Sequence, residues 1–307
     1  MPASTESAAP RPHLGTGLWA AGFALLCWAW PSIIAKTLPL DPVQIVFYRG
    51  WLGSLWAVGF LYLRGGRLSL SGLRVSFWGG VALGFDLVFF FTAIKLTTIA
   101  NATVIAALQP ALLLFLAPWI FGERIRALDV ATALVAIGGV ALVVRGSSQN
   151  GAWSLRGDLF AVLTLFAWTA YLVASKKVAG RIRSSEFAAS VTVIATLLIT
   201  PLALFSEARF SATSLVLPTA PQLGLLATMA LFGWGGHLLM NWSLGRIPIW
   251  VGGMAALAIP VLTSALAALF LEEPLRPIQL LGMSVVIGSL AIVGVRSPKL
   301  VVKDPPA

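Results

Sequence analysis

The chain has 307 residues, of which 58% are hydrophobic and only 10% charged, with a mean hydropathy of +0.91. Soluble domains carry roughly 25% charged residues, so this chain cannot cover itself with a polar surface in water and reads as an integral membrane protein. The net charge of +10 would suggest nucleic acid in a soluble protein, but here Lys and Arg fall in short gaps between apolar runs, which makes them topology signals and leaves no nucleic-acid patch.

Residues 1–14 are polar and proline-containing, and are expected to form a disordered cytoplasmic N-terminus. The apolar run that follows lacks an A-x-A-like cleavage site and is about long enough to cross a bilayer, so it reads as a span and not as a signal peptide. Ten spans follow from the apolar runs, at about 16–36, 44–63, 75–96, 99–121, 127–145, 157–176, 186–206, 221–243, 247–271 and 277–295. Runs near 20 residues without polar/apolar alternation predict helices, not barrel strands. Cys27 is the only cysteine, so no intrachain disulfide can form.

One stretch occurs twice. Shifting residues 104–143 by 150 positions superposes Pro110 on Pro260, Glu123 on Glu273, Arg126 on Arg276 and Gly138 on Gly288, with twelve of the forty positions identical. A shift of 140 pairs Gly17 with Gly157, Trp28 with Trp168, Lys36 with Lys176 and Phe47 with Phe187. Shared apolar composition does not hold proline, acid, tryptophan and lysine in register, so the chain is an internal duplication. The expected division is a first repeat at 15–146, an extracytoplasmic linker at 147–156, a second repeat at 157–296 and a cytoplasmic tail at 297–307.

Each repeat holds five spans, an odd number, so the second must enter the membrane from the opposite side. With the N-terminus inside, fourteen Lys and Arg fall on the cytoplasmic side and six outside, which predicts that both termini are cytoplasmic. The fold expected is all-α, with ten transmembrane helices in two inverted five-helix repeats, a recurrent plan of secondary transporters whose substrate site lies near the midplane.

Several features carry a resemblance. An apolar helix runs from Trp28 to Lys36 and again from Trp168 to Lys176, Arg49 stands early in the second span, and in both halves a proline is followed by about a dozen apolar residues, a glutamate and a glycine-containing helix. This pattern resembles the EamA family of the drug/metabolite transporter superfamily over about 16–296, and residues 260–271 (PVLTSALAALFL) are similar to the aromatic amino-acid exporter branch of that family. The resemblance implies a central cavity ringed by spans 1–4 and 6–9, with spans 5 and 10 at the periphery.

Few residues within the spans can recognise a polar substrate. Asp86 is at the centre of the third span, where a carboxylate costs ~2.5–3.5 kcal/mol and by default marks a site; the alternative is a protonated acid joining two helices by one hydrogen bond. Helical spacing puts Phe89 and Phe90 on its side. Trp234, His237 and Asn241 fall three and four residues apart on the eighth span and read either as cavity lining or as packing. Asp86 maps by the 150 shift to Gly236, beside His237, which suggests a proton-sensitive pair as a hypothesis. Arg49 either receives a substrate carboxylate through its planar fork or acts as a gate, or it snorkels to the outer surface or bonds helix-end carbonyls, the structural reading preferred from sequence.

Trp28, Trp30, Trp168, Tyr171, Trp234 and Trp242 could present aromatic faces to substrate, whereas Trp19, Trp78, Trp119 and Trp250 are placed to form interfacial belts. Gln109, just before Pro110, could satisfy a freed carbonyl or touch substrate. Pro110 and Pro260 are expected hinges, because each removes a backbone donor at an equivalent point of the two halves.

No nucleotide-binding loop, cysteine pair or HExxH motif is present in the sequence, so no catalytic residue, metal or cofactor is expected and the chain does not read as an enzyme. The reading is an exporter of amino acids, broad in side chain and including aromatic and other neutral ones, in the inner membrane. The alternatives are an exporter of drugs, nucleosides or other small metabolites, and a non-transporting scaffold. The partners expected are a small-molecule substrate, which moves down its own gradient or is coupled to protons, and membrane lipid, with the chain a monomer or weak oligomer.

Overall fold

The computed structural model describes residues 14–40, 42–96, 102, 105–147, 154–206, 217–272 and 275–296. The expected N-terminal tail, most of the linker, the C-terminal tail, the start of the fourth span and Glu273 lie outside the described residues.

In chain order the helices are α1 (Leu14–Thr37), α2 (Pro42–Leu63), α3 (Leu70–Leu96), α4 (Gln109–Phe121), α5 (Ala127–Ser147), α6 (Leu155–Val178), α7 (Ser184–Ser206), α8 (Ala220–Leu244), α9 (Ile249–Ala256), α10 (Ala258–Phe270) and α11 (Pro277–Arg296). Counting α9 and α10 as one broken span gives ten crossings among the described residues, all helical because lipid offers no partner to a backbone N–H and the chain must satisfy its own. Hydroxyls follow the same rule: Thr92, Thr132, Thr164, Thr169, Thr192 and Thr200 each donate to the carbonyl four residues back. α3 starts five residues before the apolar run because Ser69 accepts the Gly72 N–H at 2.8 Å and caps the helix.

Packing repeats the duplication. The main helix pairs are α1 with α8 and α10, α2 with α7 and α8, α3 with α6 and α7, and α5 with α11. Exchanging the halves (α1 for α6, α2 for α7, α3 for α8, α5 for α11) turns α1–α8 into α3–α6 and α2–α8 into α3–α7, and leaves α2–α7 and α5–α11 unchanged. That is the contact pattern of a pseudo-twofold.

Equivalent positions even share their local geometry. The Arg126 N–H donates to Asp129 Oδ2 at 2.9 Å, and 150 residues on the Arg276 N–H donates to Gln279 Oε1 at 2.8 Å. Both halves break the fourth-span helix at the same place, with turns at Ala107–Leu108 and at Leu257, three residues before Pro110 and Pro260. The missing proline N–H leaves the carbonyls of Ala106 and Ala256 without a helical donor.

Gly122 closes α4 at φ 64°, and its counterpart Glu272 holds φ 54° without being a glycine. A side chain in that conformation costs roughly 1–2 kcal/mol. Glu272→Gly is therefore expected to stabilise the protein by about 1 kcal/mol, read as a rise in thermal midpoint in detergent.

The largest buried cluster includes Tyr171, Trp250, Leu113, Leu172, Met240 and Met254. Trp19, Trp78 and Trp119 are exposed on the outer surface, as interfacial residues would be, but Trp250 is fully buried. The belt assignment for Trp250 is thus corrected: α9 is pressed against α4, so its aromatic residue packs inward. An apolar groove of about 390 Å³ lined by Phe115, Pro118, Trp119 and Leu134 lies between α4 and α5 on this lipid-facing side.

Candidate functional site

Buried polar side chains of α6 and α8 meet where those two helices touch, among the described residues. On α6, Trp168, Tyr171 and Ser175 recur at spacings of three and four, and on α8 Gly233, His237 and Asn241 recur at four, so each set presents one face. Those faces meet. The Tyr171 hydroxyl donates to Asn241 Oδ1 at 3.0 Å, and Ser175 Oγ donates to the same oxygen at 2.7 Å. His237 Nδ1 lies 3.1 Å from the Tyr171 hydroxyl. With the single Tyr171 proton given to Asn241, the imidazole must donate from Nδ1, which leaves Nε2 as an acceptor.

Tyr171→Phe removes the centre of this chain. His237 would lose its acceptor and Asn241 one of its donors, a destabilisation of about 1–3 kcal/mol that a lower thermal midpoint would register.

An aromatic wall backs the network. Trp28 packs edge-on against Trp168 and His237, each at 5.2 Å between ring centroids, and Trp168 stacks on Tyr171 at 5.2 Å. Trp28 and Trp168 are counterparts under the 140 shift, so the duplicated tryptophans touch each other near the pseudo-twofold. Gly236 makes this contact possible, because a Cβ there would lie 2.6 Å from Trp28 Nε1.

Arg49 turns inward, which corrects the snorkelling preference. Its guanidinium lies on α8 at Gly233, where a Cβ would come within 2.7 Å of Nη2. Among the described residues, neither Arg49 nor Asp86 makes a hydrogen bond or a contact ion pair. Asp86 is buried, and Phe90, one turn further along α3, is half-buried. His237, proposed from sequence as the partner of Asp86, instead bonds to Tyr171.

The remaining candidates separate. Trp234 packs on Phe60 in a cluster with Ala57, Leu61, Ala188 and Ala189, away from the Tyr171 chain. Trp30 packs against Phe232 and Phe270. Trp242 lies at the end of α8 beneath Arg246, whose guanidinium carbon is 3.4 Å from the ring centroid. Gln109 is buried at the break before Pro110.

Among the described residues, the buried donors Trp28 Nε1, Asn241 Nδ2, Gln109 Nε2 and Trp234 Nε1 have no partner. Buried donors without acceptors are costly, and the first two belong to the central network. Sequence reasoning did not single out Ser175, whose place one turn beyond Tyr171 on α6 was the available signal.

Comparison with known proteins agrees with this architecture. The model of the EamA-like transporter family matches residues 15–145 and 155–295. An uncharacterised transporter of Archaeoglobus fulgidus is 27% identical over 59% of this chain, a match spanning 65% of that protein. A probable amino-acid metabolite efflux pump of Escherichia coli is 28% identical over 90% of this chain and 84% of its own length. The aromatic amino acid exporter YddG of Ancylobacter novellus is 27% identical over 51% of this chain and 56% of its own length. A solved crystal structure superposes with a TM-score of 0.76 at 22% identity, covering 92% of this chain and 98% of that one, which shows the fold alone.

Proposed function

The chain belongs to the EamA-like transporter family, a multi-pass membrane transporter and not an enzyme, and on that premise we propose that it exports amino acids across the inner membrane by alternating access, with both termini cytoplasmic. The single observation that carries this reading is the pair Arg49 and Asp86. A carboxyl group on α3 and a guanidinium on α2 stand within the helix bundle, and among the described residues neither makes a hydrogen bond or a contact ion pair. Asp86 is buried and Arg49 half-buried; an unpartnered polar group in such a place is expensive, and a zwitterion would give each a partner.

In this reading the guanidinium takes the α-carboxylate and Asp86 takes the ammonium, while Trp28, Trp168, Tyr171 and Phe90 face the side chain. An aromatic wall that offers faces instead of a fitted pocket suits neutral side chains of several shapes. The names of the E. coli and A. novellus relatives support amino acids as the class. Pro110 and Pro260 sever two equivalent helices and serve as the hinges on which each half bends; proline-to-alanine changes at both that left transport intact would remove that role.

Counterflow in proteoliposomes tests the substrate class. Labelled phenylalanine trapped against unlabelled competitors should be displaced by free amino acids and much less by their carboxyl amides or N-acetyl derivatives. Equal competition by the amides and N-acetyl derivatives would sink the zwitterion reading and favour a drug or general metabolite exporter.

A further inference from the structure

Glu123 and Lys176 play no part in the central network, yet they form its partner structure at one end of the bundle. Lys176, at the C-terminal end of α6, contacts Glu123 beyond the end of α4 at 3.0 Å. The Glu123 carboxylate also accepts the Ile249 N–H at 2.9 and 3.1 Å, at the N-terminus of α9, where negative charge is favoured. The Lys176 ammonium donates to the Ile247 carbonyl at 2.6 Å and to the Leu244 carbonyl at 3.4 Å, at the end of α8. Two side chains thus tie together the ends of four helices.

We propose that Glu123, Lys176 and the Ile249 N–H form a latch that holds the transport pathway shut at this face, and that its release lets α4 and α9 part. Behind the latch those helices are in direct contact: a Cβ at Gly253 would lie 2.6 Å from Leu113 Cδ1 and 3.6 Å from Pro110 Cα. Both are short, 13 and 8 residues, and both are cut from the rest of their spans by the breaks at 107–108 and 257. An element detached from its span and held at its tip can swing without unfolding the bundle. The ion-pair side chains are 17% and 12% exposed, so the contact is largely shielded from water while shut, and its charges regain hydration when the latch opens, which offsets the loss of the pair. The sequence duplicates both members together, since Lys36 and Glu273 are their counterparts, which is expected of a working unit.

The latch rests on the orientation proposed above, in which this face is cytoplasmic. The test uses the full chain carrying Cys27→Ser and one reporter cysteine, either Val251→Cys on α9 behind the latch or Met229→Cys in the buried cluster of α8 with Ile34 and Ile45. A membrane-impermeant maleimide is applied from each side of sealed vesicles. Glu123→Gln and Lys176→Met should each raise the labelling rate at residue 251 about tenfold from the cytoplasmic side, leaving residue 229 no faster, while Lys176→Arg, which keeps the charge, stays near the parent rate. The same increase arriving from the opposite side would refute the orientation and keep the latch. No increase from either side, or equal increases at both reporters, would overturn the latch, the latter because it reports a general loosening.

Discussion

Asp86→Asn is expected to slow transport of a neutral amino acid by about ten- to a hundredfold, since a charge-assisted contact contributes about 1.5–3 kcal/mol and each 1.4 kcal/mol is a factor of ten. Arg49→Met should have a loss of the same order. Arg49→Lys should recover part of it, because an ammonium supplies the charge but not the planar fork. Gly233→Ala should mimic the Arg49 loss without touching a charge, because its Cβ occupies the space 2.7 Å from Nη2. Stability separates this role from a structural one: Asp86 has no contact partner to lose, so Asp86→Asn should unfold at or above the wild-type temperature. A variant that transported normally, or one that lost transport only by unfolding, would contradict the role of Asp86.

Gly282→Val should be among the most damaging changes to the fold. A Cβ at Gly282 would lie 2.6 Å from the Gly139 carbonyl oxygen and 2.7 Å from the Val143 nitrogen. Both obstacles are backbone, so no rotamer change relieves them, and α5 and α11 must separate. Small residues at helix crossings are the usual means of close approach in membranes, and this overpacking should cost about 3 kcal/mol. Gly288 on the same helix meets nothing within 4 Å, so Gly288→Ala should change stability by less than about 0.5 kcal/mol. Thermal unfolding of the two variants in detergent checks the contrast, and similar midpoints for both would show that the α5–α11 contact is not close-packed.

Much of the fold was legible because lipid simplifies the code. Apolar length alone located the spans, as α5 and α11 show, since lipid-exposed backbone leaves few alternatives to helix. What hydropathy could not see was local hydrogen bonding. It missed the Ser69 cap that lengthens α3, and it did not place the breaks at Leu108 and Leu257, although Pro110 and Pro260 were read as bends. Glu272 was illegible for a related reason, since its left-handed conformation follows from symmetry with Gly122 and not from its own preference.

The site was legible as a list and not as an arrangement. Asp86, His237, Asn241 and Tyr171 stand out as polar groups in apolar runs, but facing requires knowing which helices touch. Trp234 shares the spacing of His237 and Asn241, yet packs toward Phe60. Arg49 looked like an outer-surface residue from its position along α2, and only Gly233 on the neighbouring helix reveals why it can turn inward. Trp28 could have been ranked higher from sequence, because it is the counterpart of Trp168 and residues near a twofold tend to meet their own copies. Glu123 and Lys176 were read as markers of duplication, while the same register also carried a contact.

Uptake of a panel of labelled amino acids into proteoliposomes, with and without an imposed pH gradient, tests amino-acid export most directly. Saturable, self-competed uptake above that of empty liposomes, lost in Asp86→Asn and Arg49→Met, is the predicted result, and stimulation by the gradient would add proton coupling to it. No uptake of any amino acid by a folded preparation would contradict the assignment and leave a transporter of another metabolite.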